Sequence, residues 1–113
     1  MKLQILVPQL NEGNSTIKIL LDSISLQKCI DFKDIGVVIC NGGSNVRLSR
    51  DFLDSYPFRI DYHLASDAEG VSATRNMCLD HAKADYVMFS NIDDMFYDVQ
   101  GLRIIFDRIN EGN

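Results

Sequence analysis

The segment Asn91-Ile92-Asp93-Asp94 places two carboxylates and a side-chain amide at the end of an apolar run, Asp85 to Ser90 (DYVMFS). Oxygen donors there can hold a hard divalent cation, and such a cation can bridge the two phosphates of a nucleoside diphosphate. A D-D pair taken alone reads more simply as a turn whose side chains accept backbone N–H bonds. Upstream, Gly70-Val71-Ser72-Ala73-Thr74-Arg75-Asn76 combines a permissive glycine, a capping hydroxyl and small residues at a helix start, with Arg75 one turn in. Such a start presents N–H groups, and Arg75 can contact an anion or pair with a carboxylate. In isolation this segment is a capped helix with a solvated arginine.

The elements that must carry these residues are short apolar runs alternating with helix-period segments, the sequence form of a βαβ sheet. Leu3 to Pro8 reads as a first strand. Asn14 and Ser15 offer caps to a helix with Ile17, Leu20, Leu21 and Ile24 on one face. Ile35 to Cys40 is a β-branched strand ended by Asn41-Gly42-Gly43-Ser44, whose glycines permit positive φ. Val46 to Tyr56 is expected as a short helix before Pro57, and Phe58 to Leu64 as a strand. A helix from Val71 to about Lys83, the strand DYVMFS, and an amphipathic helix marked by Val99, Leu102, Ile105, Phe106 and Ile109 complete the chain, with Asp98 as its expected N-cap. Helices between strands require parallel pairing. In open parallel sheets a ligand lies beyond the carboxyl ends of the strands, so Gln9 to Glu12, Asn41 to Asn45 and Asn91 to Asp94 should converge.

Composition narrows the partners. The 113 residues are 46% hydrophobic and 24% charged, with a net charge of −5, and no Lys/Arg run is longer than one residue. One globular domain fits, and nucleic-acid binding does not. Three cysteines, odd in number and without C-x-x-C spacing, argue against a disulfide framework or structural zinc and fit a reducing cytoplasm. Leu3 to Val7 is too short for a signal peptide or a membrane span, which leaves peripheral attachment at the inner membrane face open. His63 and His81 lack metal-ligand spacing and read as structural or solvent-facing. Gly42-Gly43-Ser44 matches neither a P-loop nor a full dinucleotide fingerprint. A receiver or phosphatase-like domain would need acids after the first strand, where Gln9 to Asn11 has none.

From Glu69 to Asp94 the order GVSATRN, AKADYVMFS, NIDD resembles the pattern G-V-S-A-x-R-N, A-[DE]-Y, apolar strand, D-x-D-D of family 2 glycosyltransferases. Val7 to Glu12 (VPQLNE) is similar to that family's V-P-x-x-N-E, and Val37 to Asn45 (VVICNGGSN) to its V-V-D-D-G-S-x-D. The four motifs lie in order over nearly the whole chain.

The resemblance implies a three-layer α/β/α, Rossmann-like GT-A fold with a mainly parallel sheet. Residues 1–113 would form a single nucleotide-sugar-binding domain, the N-terminal donor half of a hexosyltransferase-type enzyme without its acceptor half. It implies an inverting transfer from a nucleotide-diphospho-sugar, read as UDP-linked, to a saccharide or lipid-linked acceptor in bacterial cell-surface polysaccharide synthesis. Mg2+ or Mn2+ would assist departure of the diphosphate. By position, Pro8, Gln9, Asn11 and Glu12 would line the base and ribose pocket, and Asn41 would stand where an acid contacts the base. Arg75 would lie beside the nucleotide. Asp93 would be the first metal ligand, with Asn91 reaching ribose, phosphate or metal, and Asp94 supporting the loop or a metal water.

Two departures stand out: Cys40-Asn41 replaces an acidic pair, and Asn91 replaces the first acid of D-x-D. Each lost carboxylate should lower metal affinity. The family's general base lies beyond the D-x-D loop, and no residue of this chain is expected to supply it. The rival expectation is a non-catalytic or degenerate nucleotide-binding module.

Overall fold

A computed structural model describes residues 1–68 and 70–112; Glu69, the first residue of the signature segment, and Asn113 lie outside the described residues. Four strands, β1 (Leu3–Gln9), β2 (Ile35–Asn41), β3 (Arg59–Leu64) and β4 (Tyr86–Phe89), form one sheet in the order β3-β2-β1-β4. All three pairings are parallel, with Leu3 opposite Ile35 and Tyr86, and Gly36 opposite Arg59. The two central strands are almost wholly buried and mainly apolar, as strands covered on both faces are; buried Gln4 interrupts β1 and accepts from Lys83 N and Ala84 N. The edge strands β3 and β4 are largely half-buried or exposed.

Alternation along the strands divides the core. Leu3, Ile5 and Val7, with Ile35, Val37 and Ile39, pack under α1 (Asn14–Ser25) and α4 (Gly101–Glu111). Ile17, Leu20, Leu21 and Ile24 of α1 are all buried there, on the face their spacing predicts. On the reverse face Leu6, Val38 and Cys40 meet Cys78 of α3 (Val71–His81) in a smaller cluster. A hydrogen bond from Cys40 holds the Cys78 thiol below its ordinary pKa, and none of the three cysteines is in a disulfide among the described residues. These are the expected three layers.

Three local expectations give way to long-range bonds. The helix expected over 46–56 is confined to α2 (Arg50–Asp54), capped by the Ser49 hydroxyl. Its first turn is lost because the Val46 carbonyl accepts from the Gln9 and Asn41 amides, while the Leu48 N–H donates to Tyr62. Asp98 does not cap α4: its carboxylate accepts from Gln100 N, and Gln100 occupies the cap position. Gln27, buried at the end of α1, instead accepts from Leu102 N and donates to Asp98 O. Helix α1 starts from Gly13 without a side-chain cap, because Asn14 accepts from Ser49 N.

Candidate functional site at the carboxyl edge of the sheet

The carboxyl ends of β1, β2 and β4 open onto one edge, as parallel pairing requires. After β1, Glu12 folds its carboxylate back to accept from Leu10 N (2.9 Å) and Asn11 N (3.1 Å), leaving the Asn11 side chain exposed. Gln9 is fully buried; its Nε2 donates to Glu12 O (2.5 Å) and Val46 O (3.1 Å). Pro8 is half-buried and borders two of the cavities below.

After β2, Asn41 organises the loop. Its Oδ1 accepts from Gly43 N (3.0 Å) and Ser44 N (2.8 Å), and its Nδ2 donates to Ser44 O (3.2 Å) and Val46 O (3.0 Å). A carboxylate cannot make the last two bonds, which accounts physically for an amide where the resemblance leads one to expect an acid. Gly43 has φ +97°, and a Cβ there would run into the Asp67 carbonyl and, at 2.6 Å, the Ala68 Cα. Only glycine suits that turn.

After β4 the bonding is sparse. Asp94 N donates to Asn91 O, and the Asp94 carboxylate accepts from Met95 N (2.9 Å), so Asp94 takes the turn role. Ile92 is buried and anchors the loop, whereas Asn91 and Asp93 are exposed. The side chains of Asn91 and Asp93 form no hydrogen bond or ion pair with any described residue. The far end of the loop is fastened to α1 by Phe96 N donating to Ser23, and to the segment after α1 by Lys28 N donating to Val99 O.

Three adjoining cavities occupy this edge. One of about 390 Å3 lies among Leu10, Asn11, Gly42, Gly43, Ser44, Asn45 and Ala68. A second of about 330 Å3 is bordered by Pro8, Glu12, Val71, Asn91 and Asp93. A third of about 370 Å3 holds Pro8, Arg75, Asn91 and Asp94. Arg75 lies with its guanidinium carbon 4.4 Å from the Phe89 ring centre, a cation–π contact that aims it without neutralising it. A larger cavity, about 910 Å3, opens at the opposite end of the strands around Met1, Lys33 and Arg59 and gathers none of these residues.

The structure thus brings Pro8, Asn11, Glu12, Arg75, Asn91, Asp93 and Asp94 to the cavity walls. Gln9 and Asn41 stand behind them, with their amides engaged internally. Among the described residues no three His, Cys, Asp or Glu side chains gather as a metal cluster. The donor set is two carboxylates and an amide. That set fits Mg2+ or Mn2+ completed by waters and ligand phosphates, and does not fit a closed protein cage. His63 and His81 lie apart from this set, their rings stacked with centres 3.6 Å apart.

Tyr62 is the residue that sequence reasoning misses: its hydroxyl donates to Gln9 Oε1 (2.7 Å) and accepts from Asn41 Nδ2 (3.2 Å) and Leu48 N (3.2 Å). The sole signal is a tyrosine at an inward position of an alternating strand, where a buried hydroxyl must find partners.

The model of "Glycosyl transferase family 2" matches residues 4–113. The crystal structure of S. aureus TarS 1-349 superposes with a TM-score of 0.84 at 23% identity, over 98% of this chain and 33% of that one. TarS 1-349 in complex with UDP gives 0.81 at 23% identity, and in complex with UDP-GlcNAc 0.80 at 22%, each over 98% of this chain and 32% of that one. The chain therefore spans about a third of the length of these solved structures, which share its fold. No match is found among curated proteins.

Proposed function

Because the chain belongs to glycosyl transferase family 2, by the match over residues 4–113, we propose that this edge holds the nucleoside diphosphate of a UDP-linked sugar donor. The observation that carries the reading is the convergence of three strand-end loops on adjoining cavities, with the Asn91 and Asp93 side chains left unengaged beside Arg75. Structures of the similar S. aureus protein TarS with UDP and with UDP-GlcNAc support the choice of ligand.

In this proposal the base and ribose occupy the cavity between residues 10–12 and 42–45. The diphosphate lies toward Asn91, Asp93 and Arg75. Arg75, steadied by Phe89, offsets part of the negative charge that develops on the leaving diphosphate. Asp93 is the first ligand for Mg2+ or Mn2+, with Asn91 a weaker oxygen donor and Asp94 holding the turn. The cation, when bound, supplies Lewis-acid stabilisation of the leaving diphosphate. Asn91 also donates its amide N–H to ribose or phosphate.

The whole enzyme, on this proposal, is an inverting hexosyltransferase. It passes the sugar to a saccharide or lipid-linked acceptor in cell-surface polysaccharide synthesis, meeting lipid acceptors peripherally at the inner membrane face. No helix among the described residues is long and apolar enough to cross a membrane. No described residue is assigned as the base that deprotonates the acceptor.

A second reading, a nucleotide-binding module without turnover, is favoured by Asn91 in place of a carboxylate. Calorimetric titration of UDP with and without Mn2+, followed by an assay of donor hydrolysis, separates the two. Mn2+-dependent UDP binding is expected. Metal-independent binding with no turnover assigns the chain to the module, and no binding at all removes both readings.

A further inference from the structure

The hydroxyl of Tyr62 stands where the ends of three strands meet. Tyr62 belongs to β3; its partners are Gln9 at the end of β1, Asn41 at the end of β2 and the Leu48 N–H in the following loop. A phenol has one proton to give and two lone pairs to fill, so one donated and two accepted bonds saturate it.

From the two amides the bonds continue to both walls of the cavity between residues 10–12 and 42–45. Gln9 ties the first wall through Glu12 O and the base of the second through Val46 O. Asn41 ties the second through Gly43 N, Ser44 N and Ser44 O. Further along the edge, Arg75, Asn91 and Asp93 share no hydrogen bond with this network among the described residues.

We infer that the Tyr62 hydroxyl is the positioning group for the donor's nucleobase, holding the Gln9 and Asn41 amides behind the cavity so that both walls keep one spacing. The inference rests on the proposed nucleoside-diphosphate site. It adds that base recognition depends on Tyr62 while the hold on the diphosphate does not. Without the hydroxyl, Leu48 N and Gln9 Oε1 lose a partner, and the amides turn to whatever donor or acceptor is nearest, the cavity included.

The test titrates UDP and inorganic pyrophosphate, each with Mn2+, into the wild-type chain and Tyr62→Phe. UDP is expected to bind about tenfold more weakly to the variant, with pyrophosphate unchanged, because only the base loses its framed pocket. Equal weakening of both ligands reduces Tyr62 to a general support of the fold, and unchanged UDP affinity overturns the inference outright. A wild-type chain that binds UDP no better than pyrophosphate has no base site, and then the functional reading itself fails.

Gln9→Met approaches the same hydroxyl from its other side and guards against poor folding of the first variant. It should reproduce the selective UDP loss, and the double variant should lose no more than the weaker single, since both changes break one network. Fully additive losses separate Gln9 from Tyr62 and overturn the shared role.

Discussion

The carboxyl edge of this sheet has two ends built on different plans. Where β1 and β2 finish, Gln9, Asn41 and Tyr62 spend nearly every donor and acceptor they own on one another and on loop backbone. Where β4 finishes, a loop anchored by buried Ile92 and fastened at its far end by Phe96 N and Val99 O carries Asn91 and Asp93 side chains that engage nothing described. The first end is a rigid mould. The second keeps polar groups in water, which lowers the cost of exchanging solvent for a phosphate or a cation. Shape is thus fixed where a flat base would be selected, and bonding capacity is held in reserve where charge would be met.

The harshest test of the mould is Gly43→Ala. The new methyl meets the Asp67 carbonyl and the Ala68 backbone at a φ of +97°, so a loss of about 3 kcal/mol is expected by urea unfolding. A loss within error would show that the loop is not held rigidly. Asn41→Asp comes next. It removes the amide donor facing Ser44 O, Val46 O and Tyr62 and sets a carboxylate against those oxygens, for a loss of about 2 kcal/mol.

The same exchange at the open end should behave in the opposite way. Asn91→Asp breaks no described side-chain bond and is expected to change stability by less than about 0.5 kcal/mol. It should strengthen Mn2+-dependent UDP binding about fivefold, or ~1 kcal/mol, by adding a carboxylate to the donor set. An unchanged titration would leave Asp93 and Asp94 as turn residues only. A large stability loss would erase the contrast between the two ends.

The sequence made legible whatever depends on period and strand order. Ile17, Leu20, Leu21 and Ile24 mark the buried face of α1, the apolar runs mark β1 and β2, and the parallel order places the three polar loops on one edge. It could not show where Val46 to Ser49 would go, because a helix start there competes with amides 37 and 5 residues away in the chain. Gln27 serves α4 across 75 residues, again a bond that no local pattern announces. The site divides along the same line. Exposed Asn91 and Asp93 are readable as motif residues, whereas the framing role of Tyr62 arises only when β3 is laid beside β2.

The smallest expected effect comes from the reverse face of β3, where His63 stacks on His81 with ring planes 8° apart. Burial first, and then the neighbouring His81, depress the His63 pKa from its ordinary 6.5, with Lys83 adding to the effect and Asp61 opposing it. The unfolded chain therefore takes up a proton near the ordinary value that the folded chain resists, so this contribution to stability is intact above that pH. It is lost progressively as pH falls through the depressed value. The urea midpoint should drop modestly between about pH 7.5 and about pH 5.5, and His63→Asn should flatten part of that slope. Side-chain amides do not titrate in this range, so amide protection, taken relative to the intrinsic exchange rate at each pH, should fall with acid near His81 while residues 42–46 keep theirs. Equal acid loosening of both segments would mean that the mould depends on the α3 face, and the two plans at the sheet edge would not be independent.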